Sequence, residues 1–104
     1  MDSEVTMVRI YLHEADHGKR RTLMEEILKL LAQQNHVQGV IVFRGIAGLD
    51  AGGEVLASDM LRLNVDLPLV IEFFDAPGDA EAALGALDGM VPKGHIVTWR
   101  AARR

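Results

Sequence analysis

Apolar and polar residues alternate along residues 5–12, VTMVRIYL, so that Val8, Ile10 and Leu12 share one face. A period of two with β-branched and aromatic side chains predicts a β-strand with one buried face. The largely polar stretch at residues 13–21 ends this strand. The chain therefore opens with a strand and a polar connection.

A helical period follows in TLMEEILKLLAQQ, residues 22–34. Its apolar stripe, at positions i, i+4, i+7 and i+8, consists of Leu23, Ile27, Leu30 and Leu31. Thr22 followed by Glu25 fits a capping box, in which the hydroxyl and the carboxylate each accept a hydrogen bond from an otherwise unpaired backbone N–H. The pattern predicts an amphipathic helix that begins after Thr22.

Three more apolar segments, at residues 37–43, 67–75 and 95–100, predict a second, third and fourth strand. Pro68 is compatible with the third strand only at its start, because proline cannot donate a ladder hydrogen bond. A second helix is predicted between the third and fourth strands, and its apolar residues at helical spacing are Ala80, Ala83, Leu84, Leu87 and Val91.

The connection between the second and third strands, residues 44–67, is long and irregular. Its first part is rich in glycine, whereas residues 56–64, LASDMLRLN, have a short helical pattern with Ser58 as a cap and Leu61 near the core. Connections of this length in compact domains are usually functional or disordered, and a plain mobile surface loop is the alternative interpretation.

The order β-α-β-β-α-β predicts an α+β, ferredoxin-like fold with both helices on one face of a four-stranded antiparallel sheet. Right-handed crossovers place the first and third strands at the centre as neighbours, and we expect these two strands to run parallel. At this length the chain, residues 1–104, is expected to form a single domain.

The third strand is apolar on both faces. Leu69, Ile71 and Phe73 share one face, while Val70 and Phe74 share the other face with a single glutamate. Because helices cover one face only, we expect another subunit to cover the second face. The alternative is that a few exposed apolar side chains are ordinary.

Composition narrows the classes of function. The chain is 49% hydrophobic and 25% charged, and it has no cysteine, which excludes disulfides and thiolate metal sites. A net charge of −4 argues against nucleic-acid binding. The acidic start and the absence of a long apolar run predict a cytoplasmic protein. Since no nucleophile has a histidine at a recognisable spacing, we expect a non-enzymatic protein.

Residues 13–17, HEADH, match the H-E-x-x-H signature of zinc hydrolases. That chemistry requires a helix, which projects both histidines from one face onto the metal. Here His13 directly follows a strand and Gly18 directly follows His17, so the two rings need not face one point. We therefore assign no catalytic and no metal-binding residue. A metal-binding protein or hydrolase using His13 and His17 remains an alternative.

Gly48 and Gly53 have the first glycine spacing of a phosphate-binding loop. Glu54 and Val55 stand where the required lysine and hydroxyl residue would follow, and a glutamate there would repel phosphate. A nucleotide-hydrolase phosphate loop is therefore excluded.

Basic residues form two clusters in an otherwise acidic chain, KRR at residues 19–21 and RAARR at residues 100–104. Lys93 and Gly94 lie between the second helix and the fourth strand, where a glycine allows close backbone approach and a lysine supplies charge for a phosphate. These features are typical either of anion binding or of ordinary solvated surface and a turn.

Four segments carry a resemblance to the small PII-like proteins catalogued as domain of unknown function 190. VRIYLHEAD resembles the opening strand of that family, which typically ends in a glutamate and an aspartate, here Glu14 and Asp16. The turn from Arg44 to Gly48 resembles its Arg-Gly-Ile-x-Gly motif, and LRLNVDLP resembles its Leu-Arg-Leu-Ser-x-Asp-Leu-Pro segment with Asn64 in place of serine. The second helix and last strand agree more loosely.

This resemblance implies a PII-like homotrimer whose sheets pack inward. PII regulators bind adenine nucleotides in clefts between subunits, and their loop between strands two and three, here residues 44–66, contacts target proteins such as membrane transporters. The phosphate-gripping turn corresponds to Lys93 and Gly94, and the nucleotide-facing arginines correspond to Arg100 and Arg103. The turn VPKGH departs from the glycine-rich pattern of PII proteins.

Our hypothesis from the sequence is a PII-like regulatory protein that binds a small anionic effector, an adenine nucleotide, at subunit clefts and holds no other cofactor. It acts on a membrane transporter or another target protein through residues 44–66. A purely structural interaction module is a further alternative. The candidate binding residues are Arg44, Gly45, Gly48, Lys93, Gly94, Arg100 and Arg103.

Overall fold

The computed structural model describes residues 3–18, 20–34, 37–49, 52–57 and 66–104. In these residues the elements are β1 (Ser3–His13), α1 (Leu23–Ala32), β2 (Gln38–Arg44), β3 (Ala47–Leu49), β4 (Val55–Ala57), β5 (Pro68–Asp75), α2 (Pro77–Leu87) and β6 (Ile96–Arg103). A four-stranded sheet has the order β2-β5-β1-β6, and β3 pairs with β4 in a separate sheet. The predicted α+β, ferredoxin-like fold is confirmed.

The central strands of the sheet are β1 and β5, as predicted, but they run antiparallel, so the expected parallel pairing is wrong. The physical reason lies in the crossover. The β1-α1-β2 unit joins two parallel strands that leave a gap one strand wide, and β5 enters that gap antiparallel to both neighbours. Every pairing in this sheet is therefore antiparallel.

The core lies between the two helices and one face of the sheet. Its fully buried side chains come from β1, β5 and both helices, and they include Val8, Ile10, Ile27, Ile71, Phe73 and Leu87. Burying each of the larger side chains contributes about 1.5–3 kcal/mol. The periods of two and 3.6 in the sequence thus identify the faces that meet in the core.

The start of α1 follows part of the predicted capping box. The Thr22 hydroxyl accepts from the backbone N–H of Glu25 at 3.4 Å. The Glu25 carboxylate, however, accepts from the Thr22 hydroxyl at 2.9 Å, whereas the box would direct it to a backbone N–H. It is Glu26 that reaches back, accepting from the backbone N–H of Arg20 at 3.1 Å.

Two departures from the predicted elements concern the end of α2 and the start of the short helical stretch. Helix α2 ends at Leu87, and Val91 lies beyond it, after a turn in which Gly89 has φ +81°. Leu56 and Ala57 were expected to start a short helical stretch, but they lie in β4. The rest of that stretch, including Ser58 and Leu61, lies outside the described residues.

The two ends of the sheet differ in what they carry. The end that we term the loop end contains His13, Arg44, Pro68 and Ile96, where the chain leaves or enters the four strands. The opposite end, termed the terminal end, contains the start of β1 and the end of β6.

Among the residues that the structure describes, no helix has the length and apolar character needed to cross a bilayer.

Candidate functional site

Gly45 and Gly48 lie against Pro68 at the loop end. The backbone N–H of Gly45 donates to the carbonyl of Pro68 at 2.7 Å. A Cβ added to Gly45 would lie 2.6 Å from Pro68 Cγ, and one added to Gly48 would lie 3.1 Å from the same atom. A Cβ at Gly45 would force a shift, whereas one at Gly48 would require Pro68 to give by only a few tenths of an ångström, so the close packing depends chiefly on Gly45.

Arg44, the last residue of β2, forms an ion pair with Glu14 in the connection after β1. The hydrogen bond from Arg44 Nε to Glu14 Oε1, followed by their charge interaction, raises the pKa of the Arg44 guanidinium above its ordinary value. The Arg44 side chain is 63% exposed, so an incoming anion can reach it. Any such anion must compete with the Glu14 carboxylate.

Backbone hydrogen bonds hold the Glu14 turn in place. The N–H of Glu14 donates to the carbonyl of Leu67, and the N–H of Ala15 donates to Asp66 Oδ1, both at 2.9 Å. Asp16 Oδ2 accepts from the backbone N–H of His13 at 2.8 Å. Glu14 and Asp16, which carry the family resemblance in this stretch, therefore belong to the same turn. The Glu14 side chain pairs with Arg44, and the Asp16 side chain stabilises the turn through its hydrogen bond from the His13 backbone.

Lys93 and Gly94 lie in the turn that precedes β6, also at the loop end. Gly94 has φ +85°, a backbone conformation that favours glycine, and Lys93 is exposed. The turn borders a groove of about 400 Å³ between the end of α2 and β6. Its neighbour His95 is tied to β1, since its Nδ1 lies 2.9 Å from the carbonyl oxygen of Tyr11.

Within one chain, Arg44 and Lys93 stand on opposite edges of the sheet. β2 and β6 are separated by three strand spacings, about 14 Å. Arg100 and Arg103 are farther away, because they pair with Thr6 and Ser3 towards the terminal end. From Gly94 to Arg100 the strand advances about 20 Å. The seven predicted residues therefore occupy three separate places. Arg44, Gly45 and Gly48 lie at the end of β2 and in β3, Lys93 and Gly94 share the turn before β6, and Arg100 and Arg103 lie towards the terminal end.

The two terminal-end arginines have different surroundings. Arg100 Nε lies 3.7 Å from Glu4 Oε1, and its side chain is 88% exposed. The Arg103 guanidinium lies 5.4 Å from the ring centroid of Phe74, on the side of the sheet away from the helices. Arg103 thus takes part in a cation–π contact in the isolated chain.

The histidines of the HEADH motif lie outside α1, since that helix begins at Leu23. His13 ends β1 with Nδ1 3.8 Å from Asp66 Oδ2, and His17 forms a β-bridge with Thr22. The described part of the chain contains no group of three or more His, Cys, Asp or Glu residues that could hold a metal ion. The motif lacks the helical scaffold that zinc hydrolases of this signature require.

The face of the sheet away from the helices, termed the helix-free face, is largely apolar. Its exposed large side chains are Tyr11, Ile41, Phe43, Val97 and Trp99. In the isolated chain Phe43 is 49% exposed and Ile41 50%. An apolar surface of this kind is typical of an interface.

Arg9 and Glu72 form an ion pair on the central strands of the helix-free face. Arg9 Nη2 lies 2.6 Å from Glu72 Oε1, and the guanidinium lies 5.1 Å from the Trp99 ring centroid. Hydrogen bonds to Glu72 and then to Tyr11 raise the pKa of Arg9 above its ordinary value. The sequence patterns did not identify this pair in advance. The signal was present, because an arginine in one strand and a glutamate in another each stand alone on an otherwise apolar face.

Comparison with solved structures identifies the fold as that of PII-like proteins. CPII from Thiomonas intermedia K12, described as a nitrogen regulatory PII-like protein bound to ADP, AMP and bicarbonate, matches with a TM-score of 0.68 and 15% identity. The match covers 99% of this chain and 91% of CPII. A second CPII structure, bound to ADP and bicarbonate, matches over the same shares with a TM-score of 0.67 and 12% identity.

Sequence comparison extends the likeness to an archaeal protein and to a family. The UPF0166 protein MJ1524 of Methanocaldococcus jannaschii is 29% identical over 91 residues, which cover 88% of this chain and 82% of the relative. The model of the DUF190 family, described as "Uncharacterized ACR", matches residues 5–103. The resemblance found in the sequence motifs is confirmed, and the chain belongs to the family catalogued as domain of unknown function 190.

Proposed function

We propose that this chain is a PII-like regulatory protein that acts as a single domain in a homotrimer. Each cleft between subunits binds a small anionic effector, an adenine nucleotide, and residues 44–66 transmit its presence to a target protein such as a membrane transporter. The observation that carries the proposal is the PII-like fold across 99% of the chain, shared with a protein whose structures hold ADP.

The helix-free face supports assembly. Its large apolar side chains are exposed in the isolated chain, and packing of the sheets against one another would remove them from water. A closed ring of identical copies buries such a face in every subunit.

The positions of the basic residues support a cleft between subunits. Arg44 and Lys93 lie on opposite edges of the sheet in one chain, so the two together cannot grip a single small anion there. In a ring the β2 edge of one copy stands beside another copy, which can supply the β6 edge. Site residues from two chains would make nucleotide binding depend on assembly.

The Arg44–Glu14 ion pair supplies a mechanism for the effector. Arg44 is the first residue of the 44–66 segment, and Glu14 holds it while Gly45 is bonded to Pro68. A phosphate that binds Arg44 displaces Glu14 from it. The start of the segment then changes its contacts, and the effector shifts the populations of loop conformations because it binds one of them better.

Isothermal titration calorimetry with AMP, ADP, ATP and cyclic AMP tests the effector, at protein concentrations where sedimentation shows trimers. We expect heat with at least one nucleotide, and weaker binding in Arg44→Ala and Lys93→Ala. Arg21→Ala, which removes an arginine from the helix side, is the matched control and should bind as the parent does.

Absence of heat with all four nucleotides at such concentrations contradicts the nucleotide proposal. Binding of a target protein by the trimer with no dependence on any effector would instead favour a structural interaction module.

A further inference from the structure

A second surface feature lies on the helix side, away from the helix-free face. It is a cleft of about 890 Å³ between α1, the end of α2 and the turn at residues 17–22. The residues of α1 and its C-cap that border it run from Leu23 to Gln33, a distance of about 15 Å along the helix. The cleft is therefore elongated.

The turn between His17 and Thr22 places the basic side chains of Arg20 and Arg21 at one end of this cleft. The His17–Thr22 bridge closes it, and the N–H of Gly18 donates to the carbonyl of Arg21 at 2.9 Å. The Glu26 carboxylate fills the space beside Gly18, where an added Cβ would lie 1.7 Å from Glu26 Oε2. Because backbone atoms make these bonds, the side chains of Arg20 and Arg21 stay exposed.

Basic side chains outnumber acidic ones around the cleft. Arg20, Arg21 and Lys29 are exposed on the wall formed by the turn and α1. Of the two lining acids, Glu26 is engaged by the Arg20 backbone N–H, and Asp88 is exposed at the end of α2. The three exposed basic side chains on this wall contrast with the net charge of the whole chain, which is −4.

The floor of the cleft is apolar. Leu23 is buried, and Leu30 and Met90 are partly buried side chains packed against the core. An inorganic anion at the turn would leave this floor uncovered, because the floor continues along α1 away from Arg20 and Arg21. An occupant that covers both must be long, acidic at one end and apolar along its length.

From the length of the cleft, its basic wall and its apolar floor, we infer that it binds an acidic, apolar peptide segment of a partner protein. Carboxylates of the peptide pair with Arg20, Arg21 and Lys29, and one or two large apolar side chains contact Leu30 and Met90. None of the proposed nucleotide residues lines this cleft, so the inference does not depend on nucleotide binding.

Fluorescence anisotropy with labelled twelve-residue peptides tests the inference. The probes are a peptide with leucines at helical spacing among glutamates, a peptide with leucine and glutamate alternating, the lysine counterpart of each, and oligoglutamate of the same length. Vesicles containing phosphatidylglycerol serve as a separate anionic probe. Each is titrated against the assembled wild-type protein, Arg21→Glu, Met90→Gln and Arg104→Glu, whose folding is checked by circular dichroism.

We expect at least one glutamate–leucine peptide to bind, with affinity about tenfold lower in Arg21→Glu. Met90→Gln should also weaken binding, whereas Arg104→Glu, the matched charge reversal at another exposed arginine, should change affinity less than about twofold.

Any one of several outcomes would overturn the inference. They are failure of both glutamate–leucine peptides to bind, equal binding of oligoglutamate or of the lysine peptides, equal losses in Arg21→Glu and Arg104→Glu, and binding to vesicles alone. Self-association that is lost in Arg21→Glu would also overturn it, because the occupant would then be a second copy of this chain.

Discussion

Arg44 was identifiable from the sequence, but its partner was not. It ends an apolar run beside a glycine-rich segment, which marks it as an exposed cation at a strand end. Glu14 lies thirty positions earlier, and the two meet only because β1 and β2 both end at the loop end, on either side of β5. Pairings across a sheet depend on strand order, which local patterns do not contain.

Glu14→Gln should raise the affinity of the assembled protein for its nucleotide by about threefold, because the anion no longer displaces a carboxylate from Arg44. Calorimetry measures the change, with Glu81→Gln on the exposed side of α2 as a control of equal charge. An equal gain in both variants would point to overall charge and would contradict competition at Arg44.

Gly45→Ala should destabilise the protein by about 1–3 kcal/mol, since the added Cβ would overlap Pro68 Cγ and crowd its carbonyl oxygen. Gly85→Ala is the counterpart within α2, where a Cβ meets nothing within 4 Å, and it should stabilise by roughly 0.5–1 kcal/mol. Urea unfolding at a fixed protein concentration measures both. A Gly45→Ala variant as stable as the parent would show that Pro68 can move aside.

At the scale of elements, the four long strands and both helices follow from their periods, to within a few residues at each end. The β3–β4 hairpin does not, because strands of three residues in a glycine-rich segment are too short to show alternation. Helix α2 ends before Val91 because Gly85 and Gly89 lower the helical propensity of this stretch. One apolar residue at helical spacing, Val91, does not offset that loss.

Thr22→Ala should destabilise the fold by about 1 kcal/mol, because the hydroxyl that accepts from Glu25 is lost from the start of α1. Thr22→Ser keeps that hydroxyl and should retain most of the stability. Thermal unfolding followed by circular dichroism compares the two, and similar losses for alanine and serine would mean that the methyl group, rather than the cap, is what matters.

At the scale of the whole molecule, the sequence indicated that both faces of the sheet are apolar, and the exposed side chains of the helix-free face agree with that expectation. It could not indicate how the basic residues are distributed. Arg44, Lys93 and Arg103 lie on different edges and ends of one sheet. Strand order decides which motifs of the sequence lie close together, so motifs alone do not show whether their residues form one site.

Phe43→Glu should convert the proposed trimer into single chains, because a charge on the helix-free face would be buried in the assembly at a large desolvation cost. The fold of each chain should persist, since Phe43 is 49% exposed. Light scattering after size-exclusion chromatography measures the mass. Leu49→Glu, at a 67% exposed residue outside the four-stranded sheet, is the control and should keep the parent mass.

The pairing of Ser3 with Arg103 has a practical consequence for engineering the protein. Paired residues on antiparallel strands lie about 5 Å apart, so a short linker could join these two positions and the chain could be circularly permuted. Fusion partners or surface attachments placed there would stand at the terminal end. Arg44, Gly45 and the Lys93 turn, at the loop end, would then remain accessible to binding partners in immobilised assays.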